Sequence, residues 1–167
     1  AITAFERGWT SLKLYFMVGL PGERAEDVDA IVSLAKRVKH LMLKVSRNKA
    51  RLGVLTLSLS PFVPKPFTSF EREPMDGLDV LRAKLRRVSA GLRRESNIRV
   101  NHEVPKWSLI QGILSRGDRR VGEVLLEAHR LGGDWRKAMA LKNLNPDHYA
   151  LRRRGPEERL PWAHVEV

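Results

Sequence analysis

The sequence predicts an α/β fold, in which strands alternate with amphipathic helices. The apolar run 14–18 ends in the turn Gly19-Leu20-Pro21-Gly22, as a buried strand would. Apolar residues then recur at three- and four-residue spacing over 25–45, which is typical of one helix face. A second apolar run follows at 54–60, so these three segments have the order of a βαβ unit.

The first strand is predicted over residues 12–18, after the end of a helix at 1–8 that Gly8 closes. Because its apolar run carries no charge, we expect this strand to be buried on both faces. Ligands in parallel sheets bind at the carboxyl ends of the strands. The turn at 19–23 is therefore predicted to form one edge of any small-molecule site.

The helix 25–45 is followed by a basic turn at 46–51 and by the second strand. A further helix at 77–94, with Asp76 as its N-cap, and a short strand at 98–101 complete a β-α-β-α-β order. This order fits a portion of a barrel as well as an open sheet.

The pattern changes to short helices after residue 104. These are predicted at 106–115, 121–131 and 135–144, the last with Asp134 as its N-cap, and the tail is predicted to be extended. We therefore expect two parts, a β-α-β-α-β portion at 1–103 and a helical extension at 104–167.

Composition limits the classes of function. The chain has no cysteine, which excludes disulfides, thiolate nucleophiles and cysteine-ligated metal clusters within its 167 residues. No run approaches the roughly 20 apolar residues of a membrane span, so we expect no membrane partner. Because the sequence has no cysteine and shows no export signal, we expect a cytoplasmic protein. The chain starts without Met, in the middle of a helical pattern, so we expect a segment of a longer polypeptide.

The residues alone predict no catalytic group. The turn after the first strand has neither the Gly-Lys-Ser/Thr of a P-loop nor a three-glycine dinucleotide fingerprint. His102, beside Glu103 at the end of the third strand, is the histidine best placed for a site, although a structural or exposed role is the more common one. Core packing is expected for Trp9, Trp107, Trp135 and Trp162.

The net charge of +12 allows a nucleic-acid partner. A basic RNA-binding module, such as the substrate-recognition part of a tRNA- or ribosome-modifying enzyme, is one alternative function. Its predicted footprint is Arg82, Arg86, Arg87, Arg93, Arg94, Arg152, Arg153 and Arg154. The second alternative function is a structural domain that only dimerises or scaffolds. In that case the arginines would only be exposed residues on solvated helix faces.

Two segments resemble motifs of radical SAM enzymes. The first is Lys13-Leu14-Tyr15-Phe16-Met17-Val18-Gly19-Leu20-Pro21-Gly22-Glu23, and the second runs from Ser58 to Thr68 as Ser-Leu-Ser-Pro-Phe-Val-Pro-Lys-Pro-Phe-Thr. Together with the segments 113–120 and 160–162, they are similar to an uncharacterised, iron–sulfur oxidoreductase-like branch of this superfamily, and more loosely to the methylthiotransferases. Arg24 stands where the branch usually has Thr, so the expected helix cap is lost.

The resemblance implies the C-terminal portion of a partial (β/α)₆ TIM-type barrel. It also implies S-adenosylmethionine and a [4Fe–4S] cluster as cofactors, the cluster being held by a Cys-x-x-x-Cys-x-x-Cys loop in an upstream half of the same polypeptide. Neither cofactor is expected to bind stably to this chain, which should be inert alone. The residues that would approach S-adenosylmethionine are Tyr15, Met17, Gly19 and Leu20 on one strand, and Ser58, Ser60, Pro61 and Phe62 on the next.

Overall fold

The structure is a computed structural model that describes residues 2–46 and 53–165. The predicted α/β class is confirmed, since the described residues form a three-stranded parallel sheet and seven helices. The strands are β1 (Ser11–Val18), β2 (Val54–Pro61) and β3 (Ile98–His102). The helices are α1 (Ile2–Glu6), α2 (Ala25–Ser46), α3 (Leu78–Leu92), α4 (Pro105–Arg116), α5 (Arg119–Arg130), α6 (Trp135–Leu141) and α7 (Pro146–Ala150). The basic turn predicted at 46–51 lies outside the described residues except for Ser46.

The chain divides into two compact units. The first unit comprises Ala1–Pro61 and Asp79–Glu103, and the second comprises Phe62–Leu78 and Val104–Val167. The proline-rich segment after β2 thus groups with the residues that follow β3. The two-part assignment at 1–103 and 104–167 stays a prediction.

The first unit contains the sheet, whose strands pair in the order β1-β2-β3. One face is apolar, because Leu55, Leu57 and Leu59 of β2 are fully buried between partly buried residues of both neighbouring strands. The helices α2 and α3 pack on this face and contribute most of the remaining core. Their buried side chains are Val28, Ile31, Ala35, Val38 and Met42 on α2, and Leu85, Val88 and Leu92 on α3.

The prediction that β1 is buried on both faces is wrong. Its side chains alternate along the strand, and Tyr15 and Met17 are 73% and 48% exposed. The reason is that α2 and α3 cover the same face of the sheet, so every second residue of β1 points away from them. The unbroken apolar run therefore contains a buried row and an exposed row.

The second unit contains α4 to α7 and the proline-rich segment 62–78. The predicted cap of α6 forms, because Asp134 accepts a hydrogen bond from the Lys137 amide at 3.0 Å. A further cap that was not predicted forms at Asn145, which accepts a hydrogen bond from the Asp147 amide at 2.9 Å. The second of these caps starts α7, where an extended tail was predicted. None of the helices in residues 2–46 and 53–165 has the length and hydrophobicity of a membrane-spanning helix.

Two further predictions need correction. Helix α3 begins at Leu78, so Asp76 does not directly precede it. Trp9 and Trp107 are 64% and 53% exposed and are not core residues, whereas Trp162 is buried as expected. Single exposed tryptophans follow no sequence period that would distinguish them from core residues.

Candidate functional site

The face of the sheet opposite the helices carries polar and aromatic side chains in register. Tyr15 pairs with Ser58, and Ser58 pairs with Asn101, so one residue from each strand forms a row across the sheet. The preceding row consists of Lys13, Thr56 and Arg99. The Lys13 ammonium lies 4.7 Å from the centre of the Tyr15 ring, in a cation–π contact. We call these two rows the polar sheet face.

The carboxyl edge of the sheet continues the polar sheet face. Met17 pairs with Ser60, and the Ser60 hydroxyl donates a 3.0 Å hydrogen bond to the Glu103 carboxylate just beyond β3. A hollow of about 320 Å³ also opens at this edge, at the end of β1. It is lined by Met17, Leu20 and the start of α2. This is the edge at which ligands of parallel sheets bind.

The loop between β1 and α2 is held by Glu23. Its side chain is only 6% exposed, accepts a 2.9 Å hydrogen bond from the Gly19 amide and lies 2.6 Å from the Lys84 ammonium of α3. Gly19 and Gly22 both have φ near +80°, a conformation that favours glycine. Glu23 is therefore a structural residue that fixes the loop beside the polar sheet face.

The expected loss of the α2 cap is only partial. Arg24 has no capping oxygen, but the Asp27 carboxylate accepts a 2.8 Å hydrogen bond from the Arg24 amide. This is the reciprocal half of a capping box, and it also places a carboxylate in the first turn of the helix.

The predicted S-adenosylmethionine residues fall in four places. Tyr15, Met17, Ser58 and Ser60 lie on one side of the sheet, with the pairing described above. Gly19 and Leu20 lie in the loop after β1, and Pro61 ends β2. Phe62 belongs to the second unit, where it is 5% exposed and packs edge-to-face on Phe70 with ring centres 5.7 Å apart.

His102 does not join the polar sheet face. It pairs with Leu59, a residue of the apolar face, and its Nδ1 lies 3.1 Å from the Glu103 carbonyl oxygen. Within residues 2–46 and 53–165, no group of three or more His, Cys, Asp or Glu side chains is arranged to hold a metal ion.

The second unit is built around a buried arginine. Arg116 is fully buried, and its guanidinium donates to the carbonyl oxygens of Glu73, Ala150 and Arg152 at 2.9, 3.1 and 3.2 Å. Burial, together with the charges of Arg154 and Arg152, lowers the pKa of Arg116 to about 10. The side chain is charged at neutral pH and connects three segments of the unit.

Two of the arginines predicted to contact RNA belong to the same network. The Arg152 guanidinium donates to both oxygens of Glu158, at 2.7 and 2.6 Å. Arg154, which is only 4% exposed, donates to Glu158 at 3.1 Å and to the Arg116 carbonyl at 2.7 Å. The hydrogen bond from Arg152 is the main reason why the pKa of Glu158 falls to about 2.

The remaining predicted arginines divide into paired and unpaired ones. Arg87 makes two 2.6 Å hydrogen bonds to Asp29, Arg82 lies 2.9 Å from Asp79, and Arg153 lies 2.5 Å from Glu73. In the part of the chain that the structure describes, no ion pair involves the exposed side chains of Arg86, Arg93 and Arg94.

Glu71 connects the proline-rich segment 62–78 to the C-terminal segment 160–162. Its carboxylate accepts hydrogen bonds from the Phe67 amide at 3.0 Å and from the Trp162 indole at 2.8 Å. Phe67 has a φ of 61°, which is unfavourable for a bulky side chain, and the hydrogen bond to Glu71 fixes its amide. The segments that carried the family resemblance in this unit thus form one hydrogen-bonded structure.

Sequence reasoning missed several polar residues of the sheet, namely Thr56, Arg99, Asn101 and Glu103. A signal was present, because Thr56, Ser58 and Ser60 alternate with leucines, and Arg99 and Asn101 alternate with apolar residues. Strict alternation predicts one apolar and one polar face even in a parallel sheet. Which residues form a row depends on the register, which the sequence does not contain.

Comparison with known proteins gives one match. An uncharacterised protein of Methanocaldococcus jannaschii is 36% identical over 118 residues, which cover 71% of this chain and 24% of that protein. The chain thus aligns with about a quarter of the relative's length. No family model matches the chain, and no solved structure matches it.

Proposed function

We propose that this chain is the C-terminal part of a radical SAM enzyme and forms one wall of its S-adenosylmethionine and substrate pocket. The observation that carries the proposal is that the two faces of the sheet differ. Both helices α2 and α3 pack on the apolar face, and the polar sheet face lies on the opposite side. In a (β/α) barrel the helices form the outer layer and the other face of the sheet lines the interior. Consecutive parallel strands in the order β1-β2-β3 are the connectivity of such a barrel.

The residues of the polar sheet face suit S-adenosylmethionine. Tyr15 offers an exposed ring for an adenine, and Ser58 and Asn101 offer hydrogen-bonding groups in the same row. Such enzymes would cleave a carbon–sulfur bond at the sulfonium centre of S-adenosylmethionine. The role we assign to this chain is to bind and orient it, in a cytoplasmic enzyme.

The iron–sulfur cluster does not fit this chain. Its usual ligands are cysteine thiolates, and the sequence contains no cysteine. The cluster ligands would have to come from the upstream half of the polypeptide, which is the partner we propose. We therefore assign no catalytic residue here and expect the chain alone to be inert.

Titration of the ¹⁵N-labelled chain with S-adenosylmethionine, followed by NMR, tests the proposal. One wall of a site should bind weakly, with amide shifts concentrated at 15–20 and 58–60. Tyr15→Ala should abolish these shifts, and Trp9→Ala, which removes an exposed aromatic ring of the same unit, should leave them unchanged. Shifts elsewhere, or none at millimolar ligand, would contradict the proposal.

A second experiment tests whether the chain is inert without the upstream half of the polypeptide. The chain is incubated with iron and sulfide under reducing conditions and then assayed with S-adenosylmethionine and a reductant. We expect no stable cluster and no cleavage. A chain that cleaved S-adenosylmethionine by itself would refute the assignment.

The alternative, a basic RNA-recognition module, is supported by Arg86, Arg93 and Arg94 on and just after α3, which are exposed and make no ion pair with a described residue. Replacing all three by Gln should weaken binding of a short RNA and flatten its salt dependence. With several phosphate contacts, affinity should fall by roughly a decade or more between about 50 and 200 mM salt. Undetectable or salt-independent binding would count against this alternative.

A further inference from the structure

The second unit contains a cleft of about 860 Å³ that neither function above uses. Two segments distant in sequence line it. The turn between α4 and α5 contributes Gly117, the first turn of α5 contributes Arg119 and Arg120, and the C-terminal segment contributes Arg159, Pro161 and His164. Gly117, Arg119 and Arg120 belong to the segment 113–120 and Pro161 to the segment 160–162, so the fold brings two segments singled out in the sequence to one cavity.

The basic side chains in this cleft are not equivalent. Arg120 is neutralised by Asp118, with its Nη2 2.6 Å from Oδ2 and its Nε 3.1 Å from both oxygens. The side chains of Arg119 and Arg159 are exposed and make no hydrogen bond or ion pair with any residue in 2–46 or 53–165, and the same holds for the imidazole of His164. Two arginines whose side chains have no counter-charge from the described chain therefore line one cleft.

The walls of the cleft are fixed. Asp118 also caps α5 by accepting a 2.9 Å hydrogen bond from the Arg120 amide, and it lies 3.3 Å from the Tyr149 hydroxyl. Gly117 packs so closely that an added Cβ would lie 2.5 Å from the Val121 side chain. Gly122, which also lines the cleft, is in an open position, because nothing lies within 4 Å of a Cβ built there. The main chain at Gly122 is therefore accessible to a ligand.

We propose that this cleft binds a phosphate-bearing ligand through Arg119 and Arg159. A guanidinium donates two parallel hydrogen bonds to phosphate oxygens, and two from separate segments would hold one phosphate group or neighbouring ones. The volume is within the range of about 300–1,000 Å³ for small-molecule sites, which is room enough for a ligand of nucleotide size. The inference does not depend on the proposed barrel function.

The test compares two variants of the full chain that lose the same charge. One carries Arg119→Gln and Arg159→Gln, and the other carries Arg37→Gln and Arg136→Gln, which change exposed arginines outside the cleft. Binding of adenosine diphosphate and of a labelled single-stranded RNA is measured by calorimetry and by fluorescence anisotropy, with circular dichroism as the check on folding. The cleft variant should lose about tenfold or more in affinity for at least one probe, and the control should lose much less.

The two probes distinguish the source of the phosphate. Loss of adenosine diphosphate binding identifies a free nucleotide as the ligand, and loss of RNA binding alone identifies a strand. If neither probe binds the unmodified chain, or if both variants lose affinity equally, the cleft is not a phosphate site and the proposal is overturned.

Discussion

The guanidinium of Arg154 donates a 2.7 Å hydrogen bond to the main-chain carbonyl of Arg116, and both residues are buried. Arg116 in turn donates to three carbonyl oxygens from two other segments. The two positive charges lie close together, and Glu158 compensates one of them directly. The arrangement explains how a unit of short helices stays folded around charged groups: the arginines satisfy carbonyls that burial would otherwise leave unpaired.

Replacing Arg116 by Lys should destabilise the protein strongly. A lysine keeps the charge but cannot reach three carbonyl oxygens in a planar fork. We expect a loss of about 3 kcal/mol in the free energy of unfolding, because hydrogen bonds to a buried charge are broken. Urea unfolding followed by circular dichroism measures this. Arg119→Lys, at an exposed position three residues on, should change the stability little, and equal effects would contradict the structural role of Arg116.

Glu158→Gln should destabilise the protein at neutral pH but not in acid. The pKa of Glu158 is lowered from its ordinary value of 4.5 to about 2, mainly by Arg152, so the folded state favours the carboxylate. Its stabilisation is present above pH 4.5 and is lost as the pH falls toward about 2. The difference in unfolding free energy between the natural chain and the variant should therefore be constant above about pH 5 and should shrink as the pH falls from about 4.5 toward 2. A difference independent of pH would disprove the ionic contribution.

Two glycine replacements near the cleft should have opposite effects. In Gly117→Ala the new methyl group would lie 2.5 Å from Val121 Cγ2 and 2.8 Å from the Ile113 carbonyl oxygen, so we expect a loss of about 1–3 kcal/mol. In Gly122→Ala the methyl group meets nothing within 4 Å inside helix α5, and a gain of about 0.5–1 kcal/mol is expected. Thermal melts of the two variants measure the difference, and a tolerated Gly117→Ala would show that this turn is not tightly packed.

Glu23→Ala should loosen the loop at the end of β1. The change removes the acceptor of the Gly19 amide and the partner of the Lys84 ammonium, at an expected cost of about 1–3 kcal/mol. Hydrogen exchange of the Gly19 amide should accelerate while that of the strand amides changes less. Glu26→Ala, in the exposed first turn of α2, is the matched control and should leave the Gly19 amide protected. Similar exchange in both variants would show that Glu23 does not hold the loop.

Most of the secondary structure could be predicted from local patterns. The strands, the long helices and the caps at Asp134 and Gly8 follow from apolar periodicity and from residue types that satisfy free main-chain groups. The error at β1 arose because an unbroken apolar run looks the same whether one face or two are covered. Tyr15 and Met17 are apolar enough to be either buried or exposed. Only the placement of α2 and α3 on the opposite face of the sheet decides that they are exposed.

The roles of the charged residues were decided by tertiary structure. The run Arg152-Arg153-Arg154 has the composition of a nucleic-acid footprint, but its hydrogen bonds go to the nearby Glu158 and, far away in sequence, to the Glu73 carboxylate and the Arg116 carbonyl. Arg119 and Arg159 look no different in the sequence, yet they have no such partner among the described residues. The sequence by itself determined the α/β class, the order of elements and the net charge of +12. Tertiary structure decided which face of the sheet is exposed and which arginines are free, because register and ion pairing depend on residues that are close in space and far apart in sequence.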